Sequence, residues 1–169
     1  MKERYNVAIV GIRGAVGAEM LKILEQRDFP VDELRLMSFH PEDCPVYHFQ
    51  GREIRATKLT HDAFAGIDIG LFSPGASVSK EYAPSAVKAG AVVIDNTSQF
   101  RMDDDVPLVV PEVNPDDIFK HKGIIANPNC STIQMVVALK PLHDYARIRR
   151  VVVSTYQAVS GAGSEAIEE

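Results

Sequence analysis

A cysteine lies where an apolar strand is predicted to give way to a helix, within residues 127–132 (Asn-Pro-Asn-Cys-Ser-Thr). Residues 123–126 are predicted to form the strand, which Pro128 ends, and the apolar periodicity of residues 133–139 predicts the helix. Cys130 then lies among the unpaired N–H groups of the helix start, where the helix dipole favours the reactive thiolate form. The position predicts a nucleophile; the alternative is a small, buried hydrophobic side chain at the junction.

The composition indicates a globular chain with one ordinary core, or with one domain and part of another. Of its 169 residues, 46% are hydrophobic and 24% are charged, which suffices for such a core. The net charge of −5 and the scattered Lys and Arg residues argue against a nucleic-acid partner. No apolar run is long enough to span a bilayer, so we expect no membrane partner and a cytoplasmic location. Cys44 and Cys130 have no Cys or His partner at ligand spacing, so we expect neither a disulfide framework nor a metal site.

Apolar strands alternate with helices along the chain. Strands are predicted at residues 6–10, 34–37, 67–72, 91–94 and 124–126, and helices after residue 17, at residues 80–89 and 115–120, and after residue 132. Residues 46–54 are predicted to form an irregular extended excursion. Strands that are apolar on both faces and separated by helices imply a parallel sheet covered on both sides. The predicted fold class is therefore α/β.

A glycine-rich turn follows the first predicted strand. Gly11, Gly14 and Gly17 recur at every third residue, before an amphipathic helix. At such a turn a dinucleotide pyrophosphate would meet backbone N–H groups and the positive end of the helix. The turn therefore predicts nucleotide binding, although a glycine-rich turn can also do no more than connect a strand to a helix.

Several motifs occur in one order and together resemble the bacterial aspartate-semialdehyde dehydrogenases. They are residues 11–17, 29–34, 95–98, 100–102, 109–114, 127–132 and 154–163. The resemblance implies a Rossmann-type doubly wound parallel sheet in a dinucleotide-binding domain at residues 1–147, followed by the first strand and helix start of a second α+β domain, for catalysis and dimerisation, at residues 148–169. It implies a homodimer that reduces L-aspartyl 4-phosphate to L-aspartate 4-semialdehyde with NADPH, in the biosynthesis of lysine, methionine, threonine and isoleucine.

The resemblance also implies roles for individual residues. Cys130 would attack the acyl phosphate, expel phosphate and form a thioester, which accepts hydride from the nicotinamide and collapses to the aldehyde. Gln157 would orient substrate as a catalytic residue, Asn129 would hold substrate and the reacting oxygen, and Arg101 would bind phosphate. The implied cofactor-binding positions are Gly11, Arg13, Gly14, Ala15, Val16, Gly17, Ser38, Ser73, Gly75, Asn96, Ser160 and Gly161.

The chain departs from the family where NADP would be recognised. Relatives carry an arginine that reads the cofactor's 2′-phosphate, and in this sequence Pro41 falls on that position. Glu42 and Asp43 would repel a 2′-phosphate and could accept hydrogen bonds from a free ribose hydroxyl, as in NAD sites. Arg13, where relatives have Thr, would reach the cofactor's phosphates or point into solvent. NADP is therefore the family expectation, with NAD as an alternative.

The last residues match only the beginning of the family's second domain. We expect a truncated relative without the family's catalytic histidine, because none of the five histidines lies in the matching motif, and hence little activity. A strand is predicted at residues 149–157, whose unpaired edge would favour self-association or disorder after about His143. An N-acetyl-gamma-glutamyl-phosphate reductase and a non-catalytic nucleotide-binding or interaction fragment are the alternatives.

Overall fold

The structure is a computed structural model that describes residues 2–156. The strands are β1 (Tyr5–Val10), β2 (Val31–Ser38), β3 (Tyr47–Phe49), β4 (Arg52–Ile54), β5 (Thr57–Lys58), β6 (Ile69–Phe72), β7 (Val92–Asp95) and β8 (Ile124–Ala126). The α-helices are α1 (Ala15–Gln26), α2 (Ala76–Lys88) and α3 (Cys130–Ala146), and 3-10 helices cover Pro41–Asp43, His61–Phe64 and Pro115–Lys120. Within this described range, no helix has the length and apolar character needed to cross a membrane.

Six strands form one parallel sheet in the order β5-β2-β1-β6-β7-β8. Strand β1 pairs with β2 on one side and with β6 on the other. The strand order therefore reverses at β1: β2 and β5 extend the sheet on one side of it, and β6, β7 and β8 extend it on the other. In such sheets a crevice for ligands opens beyond the carboxyl ends of the strands at this reversal. The predicted α/β class and the Rossmann-type sheet are confirmed.

The two faces of β1 pack into separate hydrophobic clusters. Val7 and Ile9 belong to a cluster that includes residues of α1, whereas Ala8 and Val10 belong to one that includes residues of α2. All four side chains are fully buried. Burial of a Val or Ile side chain contributes about 1.5–3 kcal/mol, so a strand that is apolar at every position holds helices on both faces of the sheet.

The segment at residues 46–54 and the start of α2 differ from the sequence-based expectation. Residues 46–54 contain an antiparallel hairpin of β3 and β4 instead of an irregular excursion, and the buried Phe49 anchors this hairpin to the cluster beneath α1. Helix α2 begins at Ala76 instead of residue 80. Its first turns contain the fully buried polar Ser79, which interrupts the apolar periodicity by which a helix is recognised in a sequence.

The predicted strand at residues 149–157 is wrong over its described part, because residues 149–156 form no strand. The edge of the sheet at β8 is already paired: the N–H of Ala126 donates to Pro107 O, and the N–H of Val109 donates to Ala126 O. Residues 149–156 therefore have no strand partner within the described chain, and Val152 is 80% exposed. Helix α3 continues past His143 to Ala146.

Candidate active site

The predicted functional residues that the structure describes lie near one edge of the sheet. Strands β1, β2, β6, β7 and β8 are parallel, so their carboxyl ends share that edge. The segments that follow them contain the glycine turn, Ser38, Ser73 with Gly75, Asn96 and the cysteine loop. A parallel sheet can thus bring residues from distant parts of the sequence to one site.

The glycine turn between β1 and α1 is closed by backbone contacts that exclude side chains. The N–H of Gly11 donates to Met37 O at 3.1 Å, and the N–H of Gly14 donates to Gly11 O at 3.1 Å. Gly11 has a φ of 88°, and a Cβ on Gly17 would lie 2.3 Å from Gly11 O. Gly14 is the N-cap of α1 and gives its first turn no side-chain cap. The amino end of α1 therefore remains suited to an anionic group.

A cavity of about 570 Å³ opens beside this turn, within the range of ligand pockets. It is lined by Gly11, Arg13, Gly14, Met37, Ser38, Phe39, His40, Leu59, Ser73 and Pro74. The hydroxyl of Ser38 accepts a hydrogen bond from the His40 N–H at 3.2 Å. The cradle of glycine backbone, hydroxyls and apolar walls has the chemistry that a dinucleotide requires.

Arg13 and His40, which line this cavity, each lie next to a carboxylate. Arg13 Nη1 lies 3.4 Å from Asp43 Oδ2, and His40 Nδ1 lies 3.3 Å from Glu42 Oε1. A backbone hydrogen bond, assisted by His40, holds the pKa of Glu42 below its usual range, so this exposed carboxylate is charged at neutral pH. The ligand atoms of His40, Glu42 and Asp43 also lie within 4.8 Å of one another. All three are exposed and engaged with neighbours, which is common without a metal ion.

Cys130 is the first residue of α3 and is exposed. The preceding Asn129 is the N-cap, and its Oδ1 accepts hydrogen bonds from the Ser131 N–H at 3.1 Å and from the Ser131 hydroxyl at 2.6 Å. An N-cap of this kind satisfies one of the unpaired donors and fixes where the helix begins. The exposed position contradicts the alternative of a buried hydrophobic Cys130 and agrees with a nucleophile at a helix start.

Arg101 holds together the loops that follow β7 and β8. Its Nε donates to Asn127 O at 2.9 Å, and one terminal nitrogen donates to Asn96 O at 3.0 Å. The Asn127 amide donates to Asn96 Oδ1 at 2.7 Å. The structure thus brings Arg101 and Asn96 to the cysteine loop, where they contact Asn127, a residue to which the sequence analysis assigned no role of its own.

The other predicted site residues are placed as follows. Ala15, Val16 and Gly17 form the first turn of α1, and Gly75 is the N-cap of α2. Gln157, Ser160 and Gly161 lie outside the described residues.

Comparisons with known proteins identify the family to which the chain is similar. Residues 6–121 match the family model "Semialdehyde dehydrogenase, NAD binding domain", and residues 139–169 match "Semialdehyde dehydrogenase, dimerisation domain". The aspartate-semialdehyde dehydrogenase of Aquifex aeolicus is 63% identical over 168 residues, which are 98% of this chain and 49% of that protein.

Two solved structures extend the comparison to the fold. The aspartate semialdehyde dehydrogenase II of Vibrio cholerae, complexed with ASA, has a TM-score of 0.94 and 50% identity, and the match covers 99% of this chain and 50% of that one. The Candida albicans enzyme with NADP has a TM-score of 0.70 and 25% identity, over 85% of this chain and 48% of that one. The chain therefore belongs to the semialdehyde dehydrogenase family, and it spans about half the length of the curated relatives that it matches.

Proposed function

We propose that the protein to which this chain corresponds reduces L-aspartyl 4-phosphate to L-aspartate 4-semialdehyde, reversibly and with a nicotinamide cofactor, in the biosynthesis of lysine, methionine, threonine and isoleucine. The main support is an exposed cysteine at a helix start, on the same sheet edge as the glycine turn. The named activity of relatives at 50–63% identity supports the substrate. We expect a cytoplasmic location, which cell fractionation can test.

Individual residues of the chain would have the following roles in the reaction. The Cys130 sulfur would attack the acyl carbon, and the bond to phosphate would break, leaving a thioester on sulfur. Asn129 would hold the reacting oxygen, and Gln157 would orient the substrate. Two of the five N–H donors of Arg101 donate to backbone carbonyls. Its contact with phosphate would use the other N–H donors, which have no hydrogen-bond partner among residues 2–156.

The nucleotide cavity fits the cofactor, which when bound supplies or accepts the hydride. Gly11, Arg13, Gly14, Ser38 and Ser73 line the cavity and would contact it. Backbone N–H groups at Ala15–Gly17 would favour its pyrophosphate. Gly75, Asn96, Ser160 and Gly161 would also contact the cofactor, as the resemblance implies.

Phosphate-dependent turnover tests the proposal. Aspartate semialdehyde with phosphate and either nicotinamide cofactor should give cofactor reduction, and N-acetylglutamate semialdehyde should give none. The opposite preference would assign the chain to the N-acetyl-gamma-glutamyl-phosphate reductase reaction. Absence of both nucleotide binding and thioester formation would reduce the chain to a structural fragment.

We expect the preference for NADP over NAD to be weaker than is usual in the family. Pro41 cannot bind a phosphate through a side-chain charge, and Glu42 and Asp43 place negative charge beside His40 and Arg13, which line the cavity. Repulsion between such groups and a 2′-phosphate is on the order of 1 kcal/mol at exposed positions, so the two affinities should differ by less than about tenfold. Calorimetric titration of the chain with each nucleotide measures the ratio.

Arg13→Ala is the decisive variant for this expectation. If NADP binds with strong preference, then Arg13 has exchanged its Asp43 partner for the 2′-phosphate, and the substitution should abolish the preference. Lys22→Ala is a matched control, because Lys22 is an exposed cation paired with Glu19 on α1 and does not line the cavity. A strong preference that survives Arg13→Ala would contradict this account.

We also propose that the protein associates with a second copy of itself. The match of residues 139–169 to a dimerisation domain supports this, as does the exposure of Leu142 and Tyr145 on α3 and of Val152 after it. Light scattering of the chain should therefore report a mass above the 18.6 kDa of one chain. A monomer at all accessible concentrations would contradict self-association by this part of the protein.

A further inference from the structure

A buried carboxylate lies beneath the cysteine loop and has no role in the steps above. Asp95, the last residue of β7, is 0% exposed. It accepts hydrogen bonds from the Ser79 hydroxyl at 2.8 Å, the Thr97 hydroxyl at 2.7 Å and the Thr97 N–H at 3.2 Å. No cationic side chain among residues 2–156 pairs with it. Burying a carboxylate is costly unless donors surround it, so its three donors form a specific arrangement.

The Thr97 hydroxyl connects the Asp95 carboxylate to the loop after β7. While it donates to Asp95, it accepts a hydrogen bond from the Gln99 N–H at 3.2 Å. The buried Phe100 and then Arg101 follow directly. The carboxylate therefore fixes the turn from which the Arg101 side chain reaches the loop after β8.

Asn127 is the point at which the two loops meet. Its N–H donates to the backbone oxygen of Asp95 at 2.8 Å, its side-chain amide donates to Asn96 Oδ1 at 2.7 Å, and its carbonyl accepts from Arg101 Nε at 2.9 Å. These partners belong to Asp95 itself and to the loop that follows it. Three hydrogen bonds therefore fix the position of Asn127.

This anchor lies close to the nucleophile along the chain. Pro128, which is buried, and the N-cap Asn129 are the residues between Asn127 and Cys130. Proline restricts the backbone torsions before and at its own position, so little freedom remains between the anchor and the helix start. The position of the Cys130 sulfur thus depends on a carboxylate that does not touch it.

We propose that Asp95, acting through Thr97, is a positioning residue that holds the Cys130 loop against the sheet edge. Its relevance to the dehydrogenase reaction rests on the function proposed above. The positioning itself is a property of the chain without substrate or cofactor, and it can be measured in that state.

Thr97→Val and Thr97→Ser form the main test. Valine keeps the shape of threonine but removes the hydroxyl that donates to Asp95 Oδ2 and accepts from the Gln99 N–H, whereas serine keeps the hydroxyl. The probe is iodoacetamide, and the readout is the alkylation rate of Cys130 divided by that of Cys44 in the same molecule. Loosening the anchor lets the first turn of α3 fray and removes the helix-dipole effect on the thiolate, so the ratio should fall about twofold to fivefold in Thr97→Val. Thr97→Ser should restore it.

Asp95→Asn against Asp68→Asn separates positioning from general stability. Asp68, at the opposite end of the sheet, accepts a hydrogen bond from the Asn6 N–H at 2.9 Å and pairs with Lys2. Both substitutions should lower the thermal midpoint, but only Asp95→Asn should lower the alkylation ratio. If Thr97→Val does not fold, Ser79→Ala, which removes a single donor, should shift the ratio in the same direction.

An unchanged or raised ratio in folded Thr97→Val, or an equal fall in Asp68→Asn, overturns the proposal. A lowered ratio in a chain that neither binds a nicotinamide cofactor nor forms a thioester leaves the positioning role standing and removes the proposed reaction. A chain that turns over with an unchanged ratio supports the proposed reaction and overturns the positioning role.

Discussion

The 169-residue chain should react with iodoacetamide at Cys130 and yet show turnover about 10²–10⁴-fold below that of an enzyme with a positioned acid–base group. Among residues 2–156, no histidine hydrogen-bonds to Cys130. His121 accepts from the Gly123 N–H at 3.0 Å, and His143 lies in the last turn of α3, about 20 Å along the helix axis from Cys130. Steady-state reduction of the cofactor and mass spectrometry of the alkylated chain measure the two parts.

Single serine substitutions of the two cysteines provide the matched controls. Cys130→Ser should remove the fast-labelled site and any residual turnover. Cys44→Ser should leave the labelling of Cys130 and the residual turnover unchanged, because Cys44 is half-buried and its sulfur contacts His40 O at 3.6 Å. Near-native turnover of the unaltered chain, or preferential labelling of Cys44, would falsify the assignment of Cys130 as a nucleophile that lacks its base.

The fold was predictable because the signals that specify it are local. The apolar run in β1 and the glycines at positions 11, 14 and 17 determine a buried parallel strand and a tight turn into a helix, whatever the rest of the chain does. The strand prediction at residues 149–157 used the same kind of signal and was wrong over the described part. A β-branched run becomes a strand only when another strand offers it hydrogen bonds, and the β8 edge is already paired with residues 107–109.

The site was predictable only in outline. The position of Cys130 at a helix start follows from Pro128 and the apolar periodicity after it. The donation of Arg101 to the carbonyls of Asn96 and Asn127 does not, because those partners come from two strands whose adjacency depends on the sheet order. The burial of Asp95 was not predictable either, since a carboxylate at the end of a strand is usually exposed. Only its 0% exposure and its donors identify it.

Gly17→Ala should destabilise the chain more than other small substitutions in the glycine turn. Alanine usually stabilises a helix by about 0.5–1 kcal/mol over glycine, but here the added Cβ would lie 2.3 Å from Gly11 O and 2.8 Å from Ile12 Cα. Both are backbone atoms of the turn, so relief requires the turn to move away from α1. We expect a loss of about 3 kcal/mol, at the upper end for overpacking, and a fall of about 6–12 °C in Tm.

Gly14→Ala is the matched control, because it changes the same residue type three positions away on the same turn. Its Cβ would lie 3.5 Å from Gly11 O, an ordinary contact, and its φ of −74° suits alanine. Its Tm should therefore stay within about 2–4 °C of the unaltered chain, as for a change of up to 1 kcal/mol. Nucleotide affinity should fall in both variants, in Gly14→Ala because the methyl group enters the cavity beside α1 and in Gly17→Ala because the cradle itself shifts. Equal melting temperatures for the two variants would mean that contact between the turn and α1 does not account for glycine at position 17.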